Sequence, residues 1–78
     1  MRLGDRGAAV IGIREALLSL GLLDNPDAEM VTGRHVALDV FDTELDHAVR
    51  AFQQRRGLLV DGIVGSATFR ALKEASYR

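Results

Sequence analysis

The side chains best suited to moving a proton at neutral pH are His35 and His47, but twelve residues separate them and neither lies in an H-E-x-x-H array. A zinc site built on this pair needs a third ligand that the spacing does not supply. Asp42-x-Glu44-x-Asp46 has the alternating acids of a calcium loop. Position six of that loop is His47, where the sharp turn needs glycine, and position twelve is Gln53, where a bidentate glutamate belongs. Ser19, Ser66 and Ser76 include no G-x-S-x-G elbow, and Gly62-x-x-Gly65 is too short for a dinucleotide or phosphate loop. Carboxylates crowd residues 24–46, yet a glycosidase must hold two of them apart across a sugar, which needs a cleft larger than this chain builds. Cysteine is absent, which removes thiol nucleophiles, cysteine-ligated zinc folds and disulfide-stapled scaffolds. The expectation is a chain that is not an enzyme and holds no metal or cofactor.

Binding chemistry then has to come from a small folded surface. Seventy-eight residues make one domain over 1–78, and a chain of this size buries only about 60% of the surface its unfolded form exposes. The core must therefore be efficient, and 47% apolar against 27% charged residues with one proline argues for a packed fold over disorder. A mean hydropathy of +0.06 without a long apolar run argues against a membrane span. Charge is uneven. Residues 24–46 hold seven acids and only Arg34, whereas the remaining chain carries nine basic and four acidic residues. That distribution suits a solvated acidic loop beside basic helices, or a polar face for a charged partner. The net charge of −1 speaks against a sequence-independent grip on nucleic acid. Met1-Arg2-Leu3-Gly4-Asp5 shows no signal-peptide pattern, and Ala75-Ser76-Tyr77-Arg78 lacks the glycine that commonly ends a helix, so the chain reads as a piece of a longer protein.

Three helices must position whatever surface there is. The first is expected over 7–20, with Asp5 as N-cap, Val10, Ile13, Leu17 and Leu20 on one face, and Gly21 as its stop. Gly12 inside it suggests close approach of a neighbouring helix. The second is expected over 43–56, opened by the Thr43 hydroxyl, striped by Leu45, Ala48, Val49 and Phe52, and ended by Gly57. The third is expected over 66–77 through Phe69, Leu72 and Ala75. Between the last two, Asp61-Gly62 reads as a tight turn, flanked by Leu59 or Val60 and Ile63 as apolar plugs. The predicted core is Val10, Ile13, Leu17, Leu45, Val49, Phe52, Ile63, Phe69 and Leu72. The long acidic connection over 22–42 is less regular: Asp24-Asn25-Pro26-Asp27 is a turn signal, residues 24–35 are expected to be the most mobile, and Val36 to Phe41 alternate like one short extended segment.

A weak internal repeat links these elements. Phe41 to Val49 matches Val64 to Leu72 at an offset of 23, each with an apolar plug, a helix start and an Ala-apolar pair. Val10-x-x-Ile13-Arg14 matches Val49-x-x-Phe52-Gln53 at an offset of 39.

Gly4-Asp5-Arg6-Gly7-Ala8-Ala9-Val10, Ala48-Val49-Arg50-Ala51-Phe52-Gln53, Gly57-Leu58, Asp61-Gly62-Ile63-Val64-Gly65, Thr68 and Ala71-Leu72 together resemble the bacterial peptidoglycan-binding domain. Its pattern runs G-x-x-G-x-x-V-x-x-L-Q, D-G-x-F-G, A-V-x-x-F-Q, G-L-x-x-D-G-I-V-G and T-x-x-A-L. The wording also resembles the N-terminal module of actinobacterial N-acetylmuramoyl-L-alanine amidase-like cell-wall proteins, where such a module precedes a zinc amidase domain. The resemblance covers essentially the whole chain and implies an all-α, compact three-helix fold, to which this sequence adds a long first inter-helix loop. Three departures stand out. The first D-G-x-F-G turn is Leu38-Asp39-Val40-Phe41-Asp42, the first helix carries Arg14 in place of glutamine, and the connection from Gly21 to Phe41 is longer by on the order of ten residues.

The resemblance implies a noncatalytic module that binds peptidoglycan or a muropeptide and targets an attached amidase-like domain to the bacterial wall. Its site would be a shallow groove of amide, carboxylate and guanidinium groups on an apolar floor, with Gln53, Arg56, Asp61 and Arg14 as the candidate contacts. The alternative is a protein-interaction or regulatory module of cell-wall synthesis that keeps the fold without the glycan, using the acidic loop toward a protein partner. The lack of a signal-peptide pattern leaves a cytoplasmic place open beside the envelope. A helix-turn-helix DNA reader is the third class, disfavoured by the charge and by a third helix carrying only Arg70, Lys73 and Arg78.

Overall fold

The computed structural model describes residues 1–23 and 38–76. Within them lie three helices: α1 (Ala8–Ser19), α2 (Thr43–Arg55) and α3 (Ser66–Ser76). α1 is the central element, packing chiefly on α3 and more lightly on α2. The expected mobility of 24–35 and the first part of the extended segment over 36–41 lie outside the described residues. The second part of that segment has a partner. Val40 forms an antiparallel bridge with Arg6, framed by bonds from Gly4 N to Phe41 O (3.0 Å), Gly7 N to Asp39 O (2.8 Å) and Phe41 N to Asp5 O (2.8 Å).

The 3-4 spacing places Val10, Ile13 and Leu17 of α1 against Leu45, Ala48, Val49 and Phe52 of α2 and Ala71 and Leu72 of α3, all buried. Both α1 and α2 end in the same way. Gly21 (φ 75°) and Gly57 (φ 71°) adopt the left-handed turn, and the residue after each donates its N–H back to Leu17 O or Gln53 O.

Several local expectations are corrected. Asp5 does not cap α1, because residues 4–7 are committed to pairing with 39–41; the N-cap position is Gly7, without a side-chain bond, and the Asp5 carboxylate accepts from Arg2 N instead. α2 is capped by Asp42, whose Oδ1 accepts from Leu45 N at 2.9 Å, while Thr43 is already helical. Gly12 faces open space and serves no close helix contact. Ile63 and Phe69 are 39% and 44% exposed, and Leu59 and Val60 are exposed as well. The turn is plugged by Val64, and the preceding one by Phe41. Successive residues of an extended chain face opposite sides, so once Val64 points inward Ile63 must point out. Phe69 lies at the edge of the α3 face formed by Thr68, Ala71 and Leu72, with Lys73 Nζ 5.8 Å from its ring centroid.

Candidate functional site

The turn between α2 and α3 is organised by one side chain. Gln53, 1% exposed in the last full turn of α2, places its amide in the middle of the loop 58–65. Its Oε1 accepts from Asp61 N (3.2 Å) and Gly62 N (3.0 Å), and its Nε2 donates to Asp61 Oδ1 (3.0 Å), Ile63 O (3.0 Å) and Thr68 Oγ1 (3.2 Å). An amide suits this place because it alone presents an acceptor and two donors on one planar group. Asp61 closes the network by accepting from Ile63 N at 2.9 Å. That bond is the chief reason its carboxyl is held below the ordinary aspartate value. The Gln53 side chain, its own backbone and the charge of Arg50 act the same way, and burial opposes them. Gly62 (φ 74°) completes the turn against the Asp46–Arg50 ion pair; an added Cβ would lie 2.6 Å from Asp46 Oδ1 and 2.9 Å from an Arg50 terminal nitrogen.

Arg14 holds the matching place on α1. It is 4% exposed and donates to Leu38 O (3.3 Å), Val40 O (2.9 Å) and Asp42 Oδ2 (3.3 Å). Among the described residues every buried polar side-chain atom has a partner.

The four residues singled out from the sequence are therefore not assembled into one surface. Gln53 and Asp61 meet at the second turn, but the Gln53 amide is spent inside it. Arg14 is buried at the first turn. Arg56 is exposed and stands apart at the C-cap of α2, its guanidinium 5.9 Å from the Phe52 ring centroid. There it lines a groove of about 130 Å³ together with Leu20, Leu22, Phe52, Arg55 and Ala75. Thr68, Asp42 and Arg55 were missed by reasoning from sequence. Asp42 carried a signal in the repeat, since it directly follows the Phe41 plug, and Thr68 carried one only in the T-x-x-A-L pattern; Arg55 carried none. Among the described residues no three acids or histidines converge as metal ligands do, and no helix is long and apolar enough to cross a membrane.

A family model described as "Putative peptidoglycan binding domain" matches residues 6–72. The chain belongs to this peptidoglycan-binding-domain family. The match runs from the Arg6–Val40 bridge to Leu72 in the core, so it takes in both turns and the side chains that clamp them. The chain is also 68% identical over all 78 residues to the N-acetylmuramoyl-L-alanine amidase CwlM of Mycobacterium tuberculosis strain H37Rv. It spans 19% of that relative's length. No solved structure matches at a significant level. As in the rest of the family, the architecture is all-α, and the relative is a bacterial N-acetylmuramoyl-L-alanine amidase by name.

Proposed function

We propose that this domain is a noncatalytic peptidoglycan-binding module of the bacterial cell envelope and that, within a longer protein, it holds an attached amidase domain at the wall. The family match over residues 6–72 carries this reading, supported by the name of the 68%-identical relative. Within the four candidate contacts the roles divide. Arg56 is exposed and forms no ion pair within the described residues, Asp61 borders the second turn, and Gln53 and Arg14 act behind the surface by fixing the two turns.

The protein-interaction alternative is favoured by one observation. The second turn shows Leu59 at 78% exposure beside exposed Val60 and Ile63, an apolar tip better matched to a protein than to a sugar. Sedimentation with insoluble sacculi separates the readings, set against an unrelated three-helix control. The wall-binding module is retained in the pellet above the control. Retention no greater than the control at any salt concentration rejects it in favour of the protein partner.

A further inference from the structure

At one end of the bundle the C-cap of α1 at Leu20, the C-cap of α2 at Arg56 and the last turn of α3 at Ala75 converge on the 130 Å³ groove. Its floor is hydrocarbon: Leu20, Leu22 and Ala75 are half-buried, and Phe52 is buried beneath them. Its charged side chains are Arg55 and Arg56 alone, both exposed, and neither forms an ion pair within the described residues. The Arg56 guanidinium lies 5.9 Å from the Phe52 ring centroid, within cation–π reach.

We propose that this groove binds a free peptide carboxylate next to a small apolar side chain, as presented by the alanine-type end of a peptidoglycan stem peptide. This rests on the wall-binding reading and locates its contact. Guanidinium groups match a carboxylate with paired, charge-assisted hydrogen bonds, and two at one rim leave donors for the neighbouring peptide carbonyl. A small apolar side chain such as an alanine methyl needs only a small hydrocarbon floor, which Leu20, Leu22 and Ala75 supply beside the two arginines.

Other grooves fit that ligand less well. One of about 440 Å³ carries Glu44 beside His47 and would repel a carboxylate, and one of about 370 Å³ beside Phe69 offers Ser66 as its polar side chain. Arginines in the last turn of a helix also offset its dipole. That role does not require an open apolar floor beneath them.

The test is an NMR titration of the isotope-labelled domain with a stem-type tetrapeptide ending in a free alanine carboxylate, and with the same peptide amidated. The acid should shift the amides of Leu20, Leu22 and Ala75 and the Nε signals of Arg55 and Arg56, saturating at millimolar concentration. The amidated peptide should bind weaker by on the order of tenfold, as should the acid with the double variant R55Q/R56Q, whose spectral dispersion should stay that of the wild type. Equal binding of the two peptides, shifts confined to other surfaces, or no response of the wild type overturns the proposal. Sacculus sedimentation keeps the two claims separable. Retention of R55Q/R56Q equal to wild type removes the groove and leaves wall binding standing. Wild-type failure in sedimentation removes wall binding, while the peptide titration still decides the groove.

Discussion

The two turns that precede α2 and α3 solve one problem with different chemistry. In the second, a neutral amide clamps the loop: Gln53 accepts two backbone N–H groups and donates to Ile63 O. In the first, Arg14 stands in the equivalent place and donates to Val40 O, the counterpart of Ile63 O. Guanidinium has no acceptor, so it cannot take the N–H groups that Gln53 takes. It reaches the carbonyl of Leu38 and the Asp42 carboxylate instead, and Asp42 occupies the place of Gly65. The backbone changes with the clamp. Gly62 requires positive φ, whereas its counterpart Asp39 does not adopt it. With Asp39 and Asp42 where the second turn has Gly62 and Gly65, and Arg14 where it has Gln53, the first turn is held by an ionic clamp and the second by an amide.

The largest expected effect tests which clamp is more essential. Gln53→Ala strands the buried Gly62 N–H, takes one of two acceptors from Asp61 N and removes the donor to the Ile63 carbonyl, and lost partners of that kind cost about 1–3 kcal/mol each. The variant should lose roughly 3–5 kcal/mol, a threat to a domain whose total stability lies near the low end of about 5–15 kcal/mol. Arg14→Ala should lose less, about 1–3 kcal/mol, because it leaves only acceptors and an Asp42 side chain that is 35% exposed and can be hydrated. Denaturant unfolding of both variants measures the difference. Equal losses would mean the two clamps are energetically equivalent despite their chemistry.

Much of this architecture was legible before any coordinates. The 3-4 spacing of Val10, Ile13 and Leu17 and of Leu45, Val49 and Phe52 fixed two helix faces, and Gly21 and Gly57 marked their ends within a residue. The repeat even paired Arg14 with Gln53. What stayed hidden was set by tertiary reach. Whether Ile63 or Val64 faces inward depends on where the Gln53 amide grips the loop, and composition treats both residues alike. Gln53 and Arg14 read as surface contacts because polar side chains are mostly exposed, and only their bonding shows why these two are buried. The groove of Arg55 and Arg56 exists because three helix ends converge, which no local pattern encodes.

A smaller effect sharpens the backbone half of the comparison. Gly62→Ala meets a strained φ and a Cβ placed 2.6 Å from Asp46 Oδ1, so the ion pair with Arg50 must shift or break. The expected cost is about 1–3 kcal/mol. The matching change in the first turn, Asp39→Ala, removes only an exposed contact with Arg6 at 3.5 Å and should stay within about 0.5 kcal/mol. Thermal melts of the two variants should therefore differ clearly. A large loss in Asp39→Ala would show that the first turn depends on its tip as much as the second does.

The smallest effect concerns acid. Asp61 has its folded-state pKa lowered, chiefly because Ile63 N donates to its carboxylate, with Gln53 and Arg50 adding in the same direction. A lowered folded-state pKa means the unfolded chain binds the proton more readily. The carboxylate's contribution is then fully present above the ordinary aspartate value and disappears as pH falls through the lower folded-state value. Near neutral pH stability should accordingly be flat with respect to this group, and the decline should appear only on the acid side. Asp61→Asn keeps an oxygen that can accept from Ile63 N but removes the titration, so its stability should fall less steeply with acid than that of the wild type. Urea unfolding midpoints of both proteins through the acid range measure the two slopes. Identical slopes would show that Asp61 does not carry the acid sensitivity, and the second turn would lose its distinction as the pH-dependent clamp.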